Sequence, residues 1–385
     1  MSKLRVRAYN VCFGDALLVS VPEKEGRKEV IRHIVIDVGN VLGGPGGVDG
    51  VFKPVFDDLT RELKGKPVDL YVMTHEHMDH VQGLPYAASK LDVHLKAEYA
   101  WLTASAAEDY YDRFPKAKEK RLEMVAAFQA MQRYFAAVPE AETPWVRALL
   151  ANNNPRVTED CVKHLRTVAA KSRTTYVHRG CSLEGRHPFT EATFEIWGPE
   201  EDTSQYYGRF QPMSLGVLPA ARRNAKPIKV EPVPPAGVDA GAFYDLVAAR
   251  RRGWGDNLLT IDQAANNSSV VFCMEWRGWR LLFPGDAEVR SWKTMAKHQV
   301  LKPVHFLKIG HHGSHNGTPS AELLDKILPL PKPDRKRRSA VLCTCLDCYS
   351  GVPDADTRML LESRCTIKSV EGLPQGGFVD FHFED

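Results

Sequence analysis

The stretch Thr74-His75-Glu76-His77-Met78-Asp79-His80 places three imidazoles and a carboxylate at ligand spacing directly after the apolar run Val68-Asp69-Leu70-Tyr71-Val72-Met73. That run is short, bounded by Pro67 and polar residues, and so reads as a buried strand. A strand ending in such a cluster brings several ligand-type side chains to one point at a sheet edge. Imidazole nitrogen and carboxylate oxygen suit zinc, manganese or iron, and no thiolate in the cluster favours a softer ion. The spacing predicts two ligand pairs: His75 and His77 facing one ion, Asp79 and His80 turned toward a second. The competing reading is a polar loop that happens to be rich in histidine.

Upstream, residues Lys3 to Tyr9 alternate as a half-buried strand, and Asn10-Val11-Cys12-Phe13-Gly14-Asp15 turns into a second apolar strand, together a hairpin. A third strand, Val30 to Val38, contains Asp37 at its end. That aspartate is either a turn former or a carboxylate that holds the free N–H of a ligand histidine. Residues Val51 to Lys64 have helical spacing. Downstream, a short helix follows Pro85, and a strand is expected over Asp92 to Lys96.

From about 101 to 257 the pattern changes. Ala104 to Ala137 carries helix formers interrupted by Pro115, a further helix is expected from Thr158 to Ala170, and Thr193 to Pro199 reads as a returning core strand. Basic and proline-rich residues crowd Arg209 to Pro235, with Arg250-Arg251-Arg252 beyond. Together with nearby aromatic residues and the run Lys332 to Arg338, they suit either a polyanion or plain solvent.

Core patterning resumes at Asn266-Asn267-Ser268-Ser269. The strand Val270 to Met274 and its partner Arg280 to Phe283 end in Pro284-Gly285-Asp286. Asp286, on another strand end, is the natural bridging ligand, because its two oxygens can each take one ion. Val304 to Ile309 then runs into Gly310-His311-His312-Gly313-Ser314. His311, the first to leave the strand, is favoured as a metal ligand, and His312 is left to donate a proton or touch substrate.

Whole-chain properties narrow the setting. The 385 residues are 43% hydrophobic and 26% charged, ordinary values for a globular protein, and the net charge of +3 by itself predicts no nucleic-acid or membrane partner. No apolar run approaches the ~18 residues of a membrane span, so cytoplasm is the expected compartment. The eight cysteines are scattered, and those at 343, 345 and 348 are expected to be buried free thiols.

The spacing His-x-His-x-Asp-His resembles the metallo-β-lactamase superfamily. That resemblance implies an α/β, four-layer αββα sandwich, here one domain over 1–385 with a large, partly helical insertion at 101–257. Asn10 to Asp15, the metal loop, Asn266 to Ser269 with Phe283 to Asp286, and Leu307 to Ser314 together look like the ComEC-like branch. The implied function is a metal-dependent hydrolase that uses a hydroxide activated by one or two divalent ions, zinc first and manganese as the alternative. Its metal ligands would be His75, His77, Asp79, His80, Asp286 and His311, with Asp79 and His312 as catalytic groups. The expected substrate is a phosphodiester, nucleic acid included. A small-molecule hydrolase for lactones, thioesters or β-lactams, and a binding protein on the same scaffold, are the alternatives. A typical member carries a third histidine on the first ion; His164, His178 and His187 are candidates, with Asn266 or water as substitutes.

Overall fold

Two sheets lie face to face because most strands are apolar on both sides. The computed structural model describes residues 3–44, 46–139, 142–210, 254–330, 338–345 and 352–384. The first sheet contains β1 (Leu4–Tyr9), β2 (Ala16–Glu25), β3 (Lys28–Val38), β4 (Val68–Met73), β5 (Ala97–Thr103), β6 (Thr174–Val177) and β13 (Phe378–Phe383), in the order β13-β1-β2-β3-β4-β5-β6. The second contains β7 (Ala192–Gly198), β8 (Val271–Trp276), β9 (Trp279–Phe283), β10 (Phe306–Lys308), β11 (Ser339–Leu342) and β12 (Thr366–Ser369), in the order β12-β11-β10-β9-β8-β7. In β2, Leu17, Val19 and Val21 face the second sheet and meet Phe272, Phe283 and Phe306, while Ala16 and Leu18 face outward. This period-2 split gives each sheet one shared core and one helix-covered face.

The outer face of the first sheet packs on α1 (Gly47–Leu63) and α7 (Pro155–Leu165), through Phe52, Phe56, Leu59 and Leu165. The outer face of the second packs on α9 (Val289–Lys297), α10 (Ala321–Ile327) and α11 (Ala355–Glu362), through Trp292, Met295, Leu324 and Leu361. The order is therefore helix, sheet, sheet, helix, the αββα sandwich expected above. Two single turns, α2 (Met78–Val81) and α3 (Gly83–Tyr86), follow β4. No helix among the described residues is long and apolar enough to cross a membrane.

Within 101–257, β6 and β7 join the two sheets, whereas α4 (Tyr110–Arg113), α5 (Pro115–Ala137) and α6 (Pro144–Asn152) stand outside them. Phe128, Met131 and Phe135 of α5 meet Val146 and Leu149 of α6, and Leu258 and Ile261 of α8 (Trp254–Asn266), in a small core of their own. Pro115 separates α4 from α5, as its missing N–H requires. The strand expected at 92–96 is displaced to Ala97–Thr103: Asp92, with φ of 53°, ends a helical turn, and the chain enters the sheet only at Lys96, whose carbonyl accepts from Val68 N–H. Most of the basic stretch from 209 to 235, and the run 332–337, fall outside the described residues. Cys343 is a buried free thiol as expected, but Cys345 is disulfide-bonded; Cys348 lies outside the described residues.

Close backbone contacts bind the opening hairpin to the metal loop. Asp15 N–H donates to the Asp79 carbonyl at 3.0 Å, and Gly39 N–H to the Asp15 carbonyl at 3.0 Å. A Cβ on Gly39 would lie 2.1 Å from the Asp79 carbonyl carbon, with only backbone to yield. Gly39→Ala is therefore expected to destabilise the protein by ~1–3 kcal/mol or more, through overpacking, and to shift the metal loop. Equilibrium urea unfolding checks this; an unchanged midpoint would contradict it.

Candidate metal centre

β4 ends at Met73, and the loop after it enters α2 with His75, His77, Asp79 and His80 all buried. Each offers a ligand atom to one of two adjoining groups. His75, His77 and Asp79 lie within 4.8 Å of one another, as do Asp79, His80, Asp286 and His312. Asp79 is common to both. Asp286 reaches the site from the turn after β9, where its N–H donates to Ser269 Oγ at 3.1 Å.

Asp37 holds the neighbouring histidine. Its Oδ1 accepts from Thr74 N–H at 2.8 Å and its Oδ2 from Thr74 Oγ1 at 2.6 Å and from His80 Nδ1 at 2.8 Å. That bond fixes the proton on Nδ1 and turns His80 Nε2 into the centre, 3.2 Å from Asp286 Oδ2. His312 is set the same way: its Nδ1 donates to the Cys343 carbonyl at 2.9 Å, so Nε2 faces Asp79 Oδ2 at 3.0 Å and Asp286 Oδ2 at 3.5 Å. Phe13 packs on the His312 ring at 4.4 Å between centroids. Asp37→Asn is expected to weaken divalent-metal binding ~10–100-fold by releasing His80. Competition with a chromophoric chelator measures it, and unchanged affinity would remove Asp37 from the site's support.

The paired histidines stand opposite to the order expected. Both are in the left-handed region, His311 at φ 47° and His312 at φ 53°. This double turn swings the second ring inward and the first away. His311 donates its backbone N–H to Asp286 Oδ1 at 3.0 Å, while its ring points to Asp262 at 3.8 Å and Glu288 at 3.5 Å. His311 thus corresponds to no position in the two-group centre, and His312 does.

Lys308, unmarked in the sequence reading, is buried beside them. Its ammonium pairs with Asp15 and with Asp286 Oδ1, the latter at 2.9 Å. Together with the His311 N–H, Lys308 occupies Asp286 Oδ1, leaving only Oδ2 toward the ligand atoms. Bridging by both Asp286 oxygens, as expected above, does not fit this arrangement; Asp79 is the carboxylate common to both groups. A lysine inside the apolar run Val304 to Ile309 was the available signal.

The third-histidine candidates are elsewhere. His164 lies on α7, His178 Nδ1 donates to the Arg179 carbonyl of its own loop at 3.0 Å, and His187 packs among Trp101, Phe189 and Phe194. The carboxylate facing His77 Nε2 is instead Asp262 of α8, at 3.9 Å.

Electrostatics and unmet polar atoms both fit cations. Asp15, Asp37, Asp79 and Asp286 are each about 1% exposed, against a single buried ammonium. Burial opposes charge on every group, yet the histidines beside Asp79 hold its carboxyl down to about 2. Burial also opposes the His80 imidazolium, but Asp286, Asp79 and Asp37 hold it well above 6.5; His312 is raised by Asp286 and Asp79 in the same way. For His75, burial and then His80 and His77 act together, and it is well below 6.5. His77 Nε2, His80 Nε2, Asp79 Oδ1 and Asp286 Oδ2 are buried without a hydrogen-bond partner. Orphaned donors and acceptors of this kind are costly unless a ligand meets them. A neutral imidazole nitrogen and a carboxylate oxygen are what a zinc or manganese ion takes.

A two-sheet α/β sandwich with buried histidine–aspartate clusters at its strand ends supports a metal-dependent hydrolase. Residues 32–158 match the metallo-beta-lactamase superfamily, whose members are mostly metallo-hydrolases. No curated protein is similar enough to the chain to count as a match.

Proposed function

We propose that the protein is a metal-dependent phosphodiesterase, a nuclease of the ComEC-like branch being its most specific form. His75, His77 and Asp79 would hold a first ion, and Asp79, His80, Asp286 and His312 a second, zinc or manganese. Ions there would supply Lewis acidity to a phosphoryl group and to the attacking water. Lys308 and Asp37 keep Asp286 and His80 in place, and Asp79 Oδ1, which has no hydrogen-bond partner, is the atom toward which an attacking water would turn a hydrogen.

The observation that carries the phosphodiester reading is a cleft of about 460 Å³ that Glu288, two residues beyond Asp286, helps to line. Arg290, Lys293 and Lys297 of α9 line it as well. Positions 290, 293 and 297 share one helix face, so three cations lie along one wall, as a phosphate backbone requires. The cavity beside His77, walled by Tyr111, Met124 and Ile261, is about 50 Å³, room for a few waters. We take residues 1–385 as one domain in which 101–257 is the insertion that shapes access to the site, with the cytoplasm as its compartment.

The test is cleavage. Protein loaded with zinc or manganese is expected to hydrolyse bis-p-nitrophenyl phosphate and linear DNA or RNA, with the nucleic-acid rate falling steeply as salt rises. Hydrolysis of thioesters or lactones with phosphodiesters untouched would overturn the reading.

A further inference from the structure

We propose that Asp262, Asn266, Glu288 and His311 form a further divalent-cation site, separate from the histidine-rich pair, with manganese as the ion its donors suit. Asp262 and Asn266 are one turn apart on α8 and project from the same face. Glu288 follows the turn after β9, and His311 is the ring that the double left-handed turn sends outward. Asp262, Glu288 and His311 each offer a ligand atom, and these lie within 4.8 Å of one another. None of the four is a ligand in the pair proposed above, so the inference goes beyond that reading.

The Asn266 amide shows that something more than a hydrogen-bond cluster is present. Its Nδ2 lies 3.1 Å from Asp262 Oδ2, 2.9 Å from Glu288 Oε1 and 3.3 Å from His311 Nε2. An amide has two N–H groups, which cannot serve three acceptors. At its other end Oδ1 has no partner, although Asn266 is 0% exposed. A half-turn about χ2 exchanges the two ends and places Oδ1 among two carboxylates and an imidazole. That set is rich in acceptors: without protons on Glu288 and His311, a cation is what holds it together. Spacings of 2.9–3.8 Å between these atoms compare with the ~3.0–3.4 Å between neighbouring donors around an ion with ~2.1 Å bonds.

The donor set is two carboxylates, one amide oxygen and one imidazole nitrogen. Three hard oxygens with one imidazole and no sulfur suit manganese better than a soft ion. The ion would also be reachable, because Glu288 lines the cleft with Arg290, Lys293 and Lys297. On its inner side Asp262 Oδ1 looks to His77 Nε2 at 3.9 Å, a buried nitrogen that has no hydrogen-bond partner. Asp262 therefore stands between the two centres.

Manganese(II) titration of the metal-stripped full chain, with free ion followed by electron paramagnetic resonance, tests the site. Asp262→Asn combined with Glu288→Gln keeps shape while removing two charges, and is expected to bind one manganese fewer per chain than the wild type. Asn266→Asp adds a carboxylate at the same volume and is expected to tighten one class of sites about tenfold. Equal stoichiometry in the double variant and the wild type overturns the proposal. Should the double variant fail to fold, an Asn266→Asp isotherm that superimposes on the wild type overturns it equally. Phosphodiester cleavage is read separately: its absence with the manganese pattern intact sinks the proposed function and leaves this site standing.

Discussion

A His312→Gln protein is expected to lose the ion that we assign jointly to Asp79, His80 and Asp286, and with it ~10³-fold or more of phosphodiester hydrolysis, since that ion is asked for several kcal/mol of transition-state stabilisation. His311→Gln is expected to leave zinc at that position, because its ring points to Asp262 and Glu288 instead. Zinc content after dialysis, measured beside the rate, separates the two: equal zinc loss in both variants would contradict the assignment. The same site predicts a pH dependence. In the metal-free protein His80 and His312 have pKa values raised above 6.5, so their ion pairs contribute stability below pH 6.5 that is lost as pH rises through the raised values. An ion needs both imidazoles neutral, so it gains affinity as pH rises through that interval, and binding at pH 7 releases protons. Calorimetry in buffers of different ionisation enthalpy counts them; binding with no net proton release would count against His80 and His312 as ligands.

Lys308→Met is expected to cost the metal-free protein ~3–5 kcal/mol, because it strands the buried carboxylates of Asp15 and Asp286. Lys308 is about 1% exposed, so solvent cannot replace the ammonium. Urea unfolding of the stripped variant reads the loss directly. Added metal should restore part of it, since an ion beside Asp286 compensates the same charge. A midpoint close to the wild type would show that the carboxylates take up protons at little cost.

What could be seen in the sequence was whatever short-range pattern encodes. The run Val68 to Met73 and the loop after it are contiguous, so strand, ligand types and their density are visible together. Asp286 was legible because it ends a hairpin, and Asp37 because it ends a strand beside Gly39. The choice between His311 and His312 was not legible, since it depends on two successive left-handed residues that no local propensity announces for histidine. The role of Lys308 was not legible, because its partner Asp15 comes from the opening hairpin, far away in the chain. Asp262 was missed because its helix lies at the edge of the inserted region and its partners are at 77, 153 and 311. The helices of that region pack on one another rather than on the sheets, so the alternation that marks core strands says nothing about where they sit.

Val270 N–H donates to the Thr74 carbonyl at 2.9 Å, so the chain departs from the metal loop and later re-enters at the same spot. Between those two points the helices α4, α5 and α6 form an excursion outside the sheets. Such an excursion can lengthen, shorten or be exchanged while the atoms that hold the ions keep their places. The chemistry and the choice of what reaches it are in this way separately heritable parts of one chain.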